Sequence, residues 1–250
     1  MADRSSIEWT EATWNPTTGC DRTSPGCDHC YAATLAKRLK AMGQAKYQAD
    51  GDPRTSGPGF AITCHPDSLA IPGRWRTPRT VFVNSMSDLF HNGVDEAFIA
   101  EVFDVMADCP QHTFQVLTKR SKRLAAVADR IHWPANVWMG VSIENDQYRF
   151  RADHLRAVGA AVRFLSVEPM LGPVRNLDLD GIDWVIVGGE SGRDARPVDA
   201  CWVRDLRDRC AENEVAFFFK QWGGPTPKAG GRILDGRTWD EMPNTLPTTG

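Results

Sequence analysis

The chain has 250 residues, 42% of them hydrophobic and 24% charged, with a net charge of −3. That length holds one barrel or two small domains with a real core, and the near-balanced charge excludes a protein that coats nucleic acid or an acidic membrane through a global basic field. No apolar run approaches the ~18 residues of a membrane span. The start, Met1 to Ser6, lacks the apolar core of a secretory signal, and seven cysteines, an odd number, point to a reducing cytoplasm.

Ile7 to Trp14 alternates weakly and reads as a first strand. After it come Trp14-Asn-Pro-Thr-Thr-Gly19 and then Cys20-Asp-Arg-Thr-Ser-Pro-Gly-Cys27-Asp-His-Cys30, three cysteines spaced C-x6-C-x2-C. Gly19 and Pro25-Gly26 are turn residues, so the loop can curl and bring the sulfurs to one point. An amphipathic stretch from Tyr31 to Met42 follows, with Leu35, Leu39 and Met42 on one helical face and Gly43 as a stop. Thiolates that converge at a helix N-terminus make a soft site for zinc or an iron–sulfur cluster. There are three and not four: a structural zinc site closes with four protein ligands, whereas a reactive site keeps a position open. Residues 43–59 are polar and rich in Gly, Asp and Pro, a surface excursion that reads as a lid over the cysteines or as a solvated loop.

Short apolar runs then recur at Phe60–Cys64, Thr80–Val83, Thr113–Leu117, Val137–Val141, Val162–Val167, Trp184–Val187 and Val215–Phe219. Between them, Ile99, Val102, Phe103 and Met106 share one helical face. Ser121 is read as the cap of a helix carrying Leu124, Val127, Ala128 and Ile131, and Asp199 as the cap of one carrying Val203, Leu206 and Cys210. Apolar strands separated by amphipathic helices indicate a parallel sheet covered on both faces. With the first strand there are eight candidates, which suits an α/β fold of the TIM-like (β/α) barrel kind, complete or partly open. A doubly wound sheet is the alternative. Residues 1–224 are expected to form this single domain, with 43–59 as an insertion and 225–250 as an irregular tail. Trp138, Trp184 and Phe217 to Phe219 read as strand filling, and Cys109 and Cys210 as buried thiols.

In a barrel, chemistry sits at the C-terminal strand ends, and polar residues gather there. The successive ends carry the cysteine loop, His65 with Asp67, Asn84 to Asp88, Thr118 to Arg120, Ser142 to Asn145, Ser166 to Pro169, Gly188 to Ser191, and Lys220 to Trp222. Trp14 to Cys20, Ser24 to Tyr31, Asn84 to Asp88, Leu117 to Arg120, Gly140 to Ser142, Ser166 to Met170, Gly188 to Ser191 and Phe219 to Gly223 together resemble the phage-borne three-cysteine protein family, which is regarded as similar to radical S-adenosylmethionine enzymes. The resemblance covers roughly residues 7 to 224. It departs from the superfamily pattern in its first cysteine gap, six residues and not three, and in the late place of Gly188-Gly189-Glu190.

The resemblance implies a [4Fe-4S] cluster on Cys20, Cys27 and Cys30, with one iron left to chelate S-adenosylmethionine. It also implies a reductant protein as electron donor. Cofactor contacts are expected from Asn84, Ser166, Glu168, Gly188, Gly189 and Glu190, the last accepting from the cofactor's ammonium. Lys119 and Arg120, with Lys122, Arg123, Arg193 and Arg196 nearby, are expected to meet phosphate, and Trp222 and Tyr31 to stack a base. The expected substrate is therefore DNA or another nucleic acid, as in lesion-repair enzymes. Two other readings stay open. Zinc closed by His29, Cys64 or His65 describes a nucleic-acid or protein-binding module. Glu144, Glu168 and Glu190 acting as acid and base describe a hydrolase.

Overall fold

A computed structural model describes Ser5 and residues 7–243; residues 1–4 and 6, and 244–250 of the expected tail, lie outside it. In chain order the strands are β1 (Ala12–Trp14), β2 (Thr17–Thr18), β3 (Thr63–Cys64), β4 (Thr80–Val83), β5 (Thr113–Thr118), β6 (Val137–Ser142), β7 (Val162–Val167), β8 (Trp184–Gly188) and β9 (Ala216–Gln221). The helices are α1 (Tyr31–Ala41), α2 (Glu96–Ala107), α3 (Ser121–Val127), α4 (Phe150–Arg156) and α5 (Ala200–Glu212).

Seven strands form one sheet in the order β1-β4-β5-β6-β7-β8-β9, every pairing parallel. β1 and β9 stand at its edges, so the barrel is partly open. Its curl is visible in one side chain. Trp9, just before β1, lies 4.8 Å from Phe82 on β4 and 6.2 Å from Trp184 on β8, edge-on to both. Strands four places apart in a flat sheet stand about 19 Å apart, so one ring reaches both only if the sheet rolls up.

The two faces have different contents. The outer face and the helices share the larger core, with Ile99, Phe103, Leu124, Leu155, Val203 and Leu206 among its members. The inner face carries Phe82, Trp138, Phe164, Trp184 and Phe218 toward the N-terminal ends of the strands. Two residues further along the same inward positions come Gly140, Ser166 and Lys220, and then Ser142 and Glu168. An aromatic plug thus fills the bottom, and small and polar residues hold the top.

The run Phe60–Cys64 is not a barrel strand. Only Thr63 and Cys64 are extended, and they pair antiparallel with Thr17 and Thr18. Gly19 explains this: it has φ +87°, and any Cβ on it overlaps the Ala61 carbonyl, while Phe60 accepts from the Cys20 N–H. The segment is drawn across the entrance of the cysteine loop and never reaches the sheet, which leaves seven strands and not eight.

α2 and α5 bury the residues their periodicity selects, and Asp199 caps α5 through the Cys201 N–H. α3 begins at Ser121, whose hydroxyl meets His154 Nδ1 at 2.9 Å and does not cap the helix. α1 is turned from the expected face. Ala32 and Ala36 are buried, whereas Leu35 is 39% and Met42 70% exposed.

Beyond β9 the chain returns along its outer edge. The Phe219 N–H donates to Trp239 O at 2.9 Å, the Glu241 N–H to Phe217 O at 3.2 Å, and the Trp184 indole N–H to Glu241 O at 2.8 Å. No helix among the described residues is long and apolar enough to cross a membrane.

The plug has no slack at β6, where the Phe164 ring occupies the space a side chain on Gly140 would need. Gly140→Ala is expected to lower stability by roughly 1–3 kcal/mol in urea unfolding. Gly73→Ala, in open space, should stay within about 0.5 kcal/mol of the wild type.

Candidate metal centre

Each cysteine is placed by a different local device. Cys20 follows the β2 extension and the left-handed Gly19. Cys27 closes a turn over Pro25–Cys27, its N–H donating to Ser24 O at 2.9 Å. Cys30 is the N-cap of α1. All three are free thiols, and all three line one pocket of about 250 Å³. Ala33, Thr34 and Lys37 of α1 form one wall; Thr55, Ser56, Pro58 and Phe60 form another. The excursion 43–59 therefore helps to enclose the cysteines. It is tied there by Asp21, which accepts from the Thr55 and Ser56 hydroxyls at 2.7 and 2.8 Å and from His91 Nε2 at 2.9 Å. The Gly93 N–H donates to His91 Nδ1, which fixes the proton on Nε2. The Thr55 hydroxyl leads in holding the Asp21 carboxyl down at about 2, against its burial.

Beneath the sulfurs, Ala32, Ala36, Phe60 and Met86 make a small apolar floor. Burial pushes the Cys20 thiol up to about 12, with the Asp88 carboxylate adding to it and Arg120 opposing. Burial also raises Cys30, against the N–H groups of Ala33 and Ala32 at the helix start. Thiols of this kind stay protonated until a cation displaces the proton.

Two carboxylates fasten the loop to the strand ends. Glu144, after β6, is fully buried; it accepts from the Ser24 hydroxyl at 2.6 Å and from Arg151 at 3.0 Å, with Lys119 Nζ at 3.6 Å. Gly26 lies flat on this carboxylate. Glu190, after β8, accepts from the Arg196 N–H and Nε, both at 2.9 Å, from Arg196 Nη2, and from His29 Nδ1 at 3.1 Å. Burial acts to raise the Glu190 carboxyl, but Arg196 and His29 outweigh it and hold it at about 2. Arg196 also donates to Pro25 O at 2.8 Å and stands 3.5 Å from Asp28.

The six expected cofactor contacts separate. Ser166 and Glu168 meet at 3.3 Å, Lys220 Nζ stands 3.0 Å from Glu168, and Gly188 leaves room for the Glu168 side chain. Gly189 instead admits the Trp222 carbonyl, and Glu190 is spent on the cysteine loop. Asn84, in the left-handed region, donates to the Thr17 hydroxyl at 3.0 Å and leaves its carbonyl oxygen buried without a partner.

The expected phosphate contacts turn inward too. Lys119 faces Glu144 and the Glu168 carbonyl, Arg120 donates to Asp21 O at 3.2 Å, and Arg123 holds the carbonyls of His91 and Val94. Trp222 packs on Phe219 and donates to Ile233 O, and the Tyr31 hydroxyl donates to Ser85 O at 2.5 Å. Sequence patterns gave Ser24 no role beyond its place in the resemblance segment and missed Arg151 altogether. Arg151 sits on α4, too short for a periodicity to show. Lys220 was signalled only as one of the polar strand ends, and the alternation of β9 puts it, like Phe218, on the inner face.

Of the residues expected to close a zinc site, His65 is bonded to the Thr18 hydroxyl at 2.8 Å and Cys64 packs on the main core, whereas His29 lines the cysteine pocket with its Nδ1 on Glu190. Among the described residues no group of three or more His, Cys, Asp or Glu side chains is placed to hold one ion. Around a single zinc, thiolates stand within about 4.6 Å of one another, twice the bond length. The ligands of a multi-iron cluster sit on separate irons and need not converge on one ion. Of the three carboxylates in the hydrolase reading, Glu190 is depressed and bound to Arg196, Glu144 is fully buried against Arg151, and Glu168 pairs with Lys220.

No curated protein matches the chain in sequence. Among solved structures it is similar to a cysteine-to-serine mutant of spore photoproduct lyase, at 16% identity and a TM-score of 0.49, over 76% of this chain and 58% of that one. It is also similar to spore photoproduct lyase complexed with dinucleoside spore photoproduct, at 15% identity and a TM-score of 0.46, over 78% and 59%. The chain thus spans less than two thirds of the length of those proteins. The family described as "Protein of unknown function (DUF5131)" matches residues 4–243, and the chain belongs to that family.

Proposed function

We propose that this chain is an iron–sulfur enzyme of the radical S-adenosylmethionine type, with a [4Fe-4S] cluster on Cys20, Cys27 and Cys30. One observation carries the reading: among the described residues three free thiols, and no fourth cysteine, line one pocket. A cluster held by three thiolates supplies one-electron chemistry at an iron open to a small molecule. The protein's own part is to seat the loop, wall it with 43–59 and keep water out. Ser166, Glu168 and Lys220 at the inner rim supply an acceptor and donors for a polar ligand in the mouth. Glu168 takes the ammonium-binding role first expected of Glu190.

The phage-borne resemblance and a nucleic-acid substrate belong to the same proposal. Of the cations expected to meet phosphate, Lys122 and Arg193 are the exposed ones, and phosphate contacts fall to them in place of Lys119 and Arg120.

Anaerobic reconstitution is expected to give a chain carrying iron and sulfide. Cys20→Ala, Cys27→Ala and Cys30→Ala should each abolish uptake, and Cys64→Ala should not. One tightly held zinc per chain, with no iron taken up, would overturn the reading. The loop clamp should matter as outer ligand shells do: Arg196→Met is expected to speed chelator-driven loss of iron by roughly tenfold or more, with the far-ultraviolet circular dichroism unchanged.

A further inference from the structure

The end of β5 enters the cysteine loop on a fixed base. Asp88 accepts from the Thr118 hydroxyl at 2.6 Å and the Lys119 N–H at 3.0 Å, and the Thr118 hydroxyl accepts from the Arg120 N–H at 2.8 Å. From there the Arg120 guanidinium reaches the residue beside Cys20, donating from Nη2 to Asp21 O at 3.2 Å. Its Nε–H is buried and has no acceptor. A buried guanidinium donor is costly to leave unpaired, so this one is open to an electron-rich atom brought to the cysteine loop. Lys119, its neighbour, brings a second cation to the same rim, its Nζ 3.6 Å from the Glu144 carboxylate that holds Ser24 of the loop.

We propose that Arg120, seconded by Lys119, sets the reduction potential of the group bound by Cys20, Cys27 and Cys30, its unpaired Nε–H donating to the Cys20 sulfur or to a sulfide next to it. This rests on the cluster reading above and moves the pair from substrate to metal centre. Hydrogen bonds to sulfur and the local charge are the protein's levers on such potentials. Three thiolates make the site anionic, and one electron from an external low-potential donor makes it more so. A fixed cation therefore favours the reduced form.

The test is a mediated dithionite titration of the anaerobically reconstituted full chain, followed by electron paramagnetic resonance. Arg120→Gln is expected to move the midpoint to more negative potential, with about a tenfold weaker reduction equilibrium, about 59 mV for a one-electron couple. Arg120→Lys, which keeps the charge, should shift it less, and Lys122→Gln, exposed on α3, not at all. A loaded Arg120→Gln chain at the wild-type potential overturns the inference. If that variant takes up no cluster, Lys119→Gln decides by the same sign of shift or its absence. A wild-type chain that takes up no iron and sulfide sinks the cluster reading and this inference together, whereas a loaded wild type with unmoved variants sinks the inference alone.

Discussion

The buried carboxylate of Glu144 is the contact on which the arrangement of the sulfurs depends. The loop from Cys20 to Cys30 has one turn of 3-10 helix and no strand, so it cannot hold three side chains in register by itself. Glu144 supplies the register from below by joining Ser24 of the loop to Arg151 behind β6. A buried ion pair of this kind adds little net stability, because desolvation offsets most of the attraction. Its effect is directional: the loop can sit in one place or leave a buried charge unpaired. Glu190 does the same from β8 through Arg196 and His29.

This explains why the strand ends are so rich in charge while so few of those charges face solvent. A parallel sheet brings all its C-terminal ends to one rim, and here the rim residues divide into two groups. One group, Glu144, Glu190, Arg196 and Asp88, positions the loop. The other, Ser166, Glu168 and Lys220, stays together on the inner face above the aromatic plug. The sequence shows both as polar strand ends, and nothing in one-dimensional spacing tells a clamp from a contact surface.

Much of the architecture was legible for that reason and much of the site was not. β4 to β9 could be read from apolar runs because a strand buried on both faces has few ways to look otherwise. α2 and α5 followed from their periodicity. Phe60 to Cys64 misled, since an apolar run carries no statement of what it pairs with; the decisive fact was the left-handed Gly19 pressed against Ala61. α1 misled in rotation, because the pocket floor selected Ala32 and Ala36, small enough to let the helix approach, over the larger Leu35. That the three cysteines gather at one pocket was legible from their spacing. The partners of Glu190 were not, for Arg196 lies six residues on and His29 more than a hundred and fifty residues back.

The return of the chain along β9 has a consequence for how the molecule behaves in company. A sheet that stops short of closure offers an unpaired strand edge, a template for stacking one molecule onto another. Here Trp239 and Glu241 occupy that edge from within, and Trp184 in the plug anchors the cover through its indole. The β9 edge of the half-closed cylinder is thereby shielded from neighbouring molecules at crowded concentrations. Tags or fusions attached near residue 243 adjoin a structural closure.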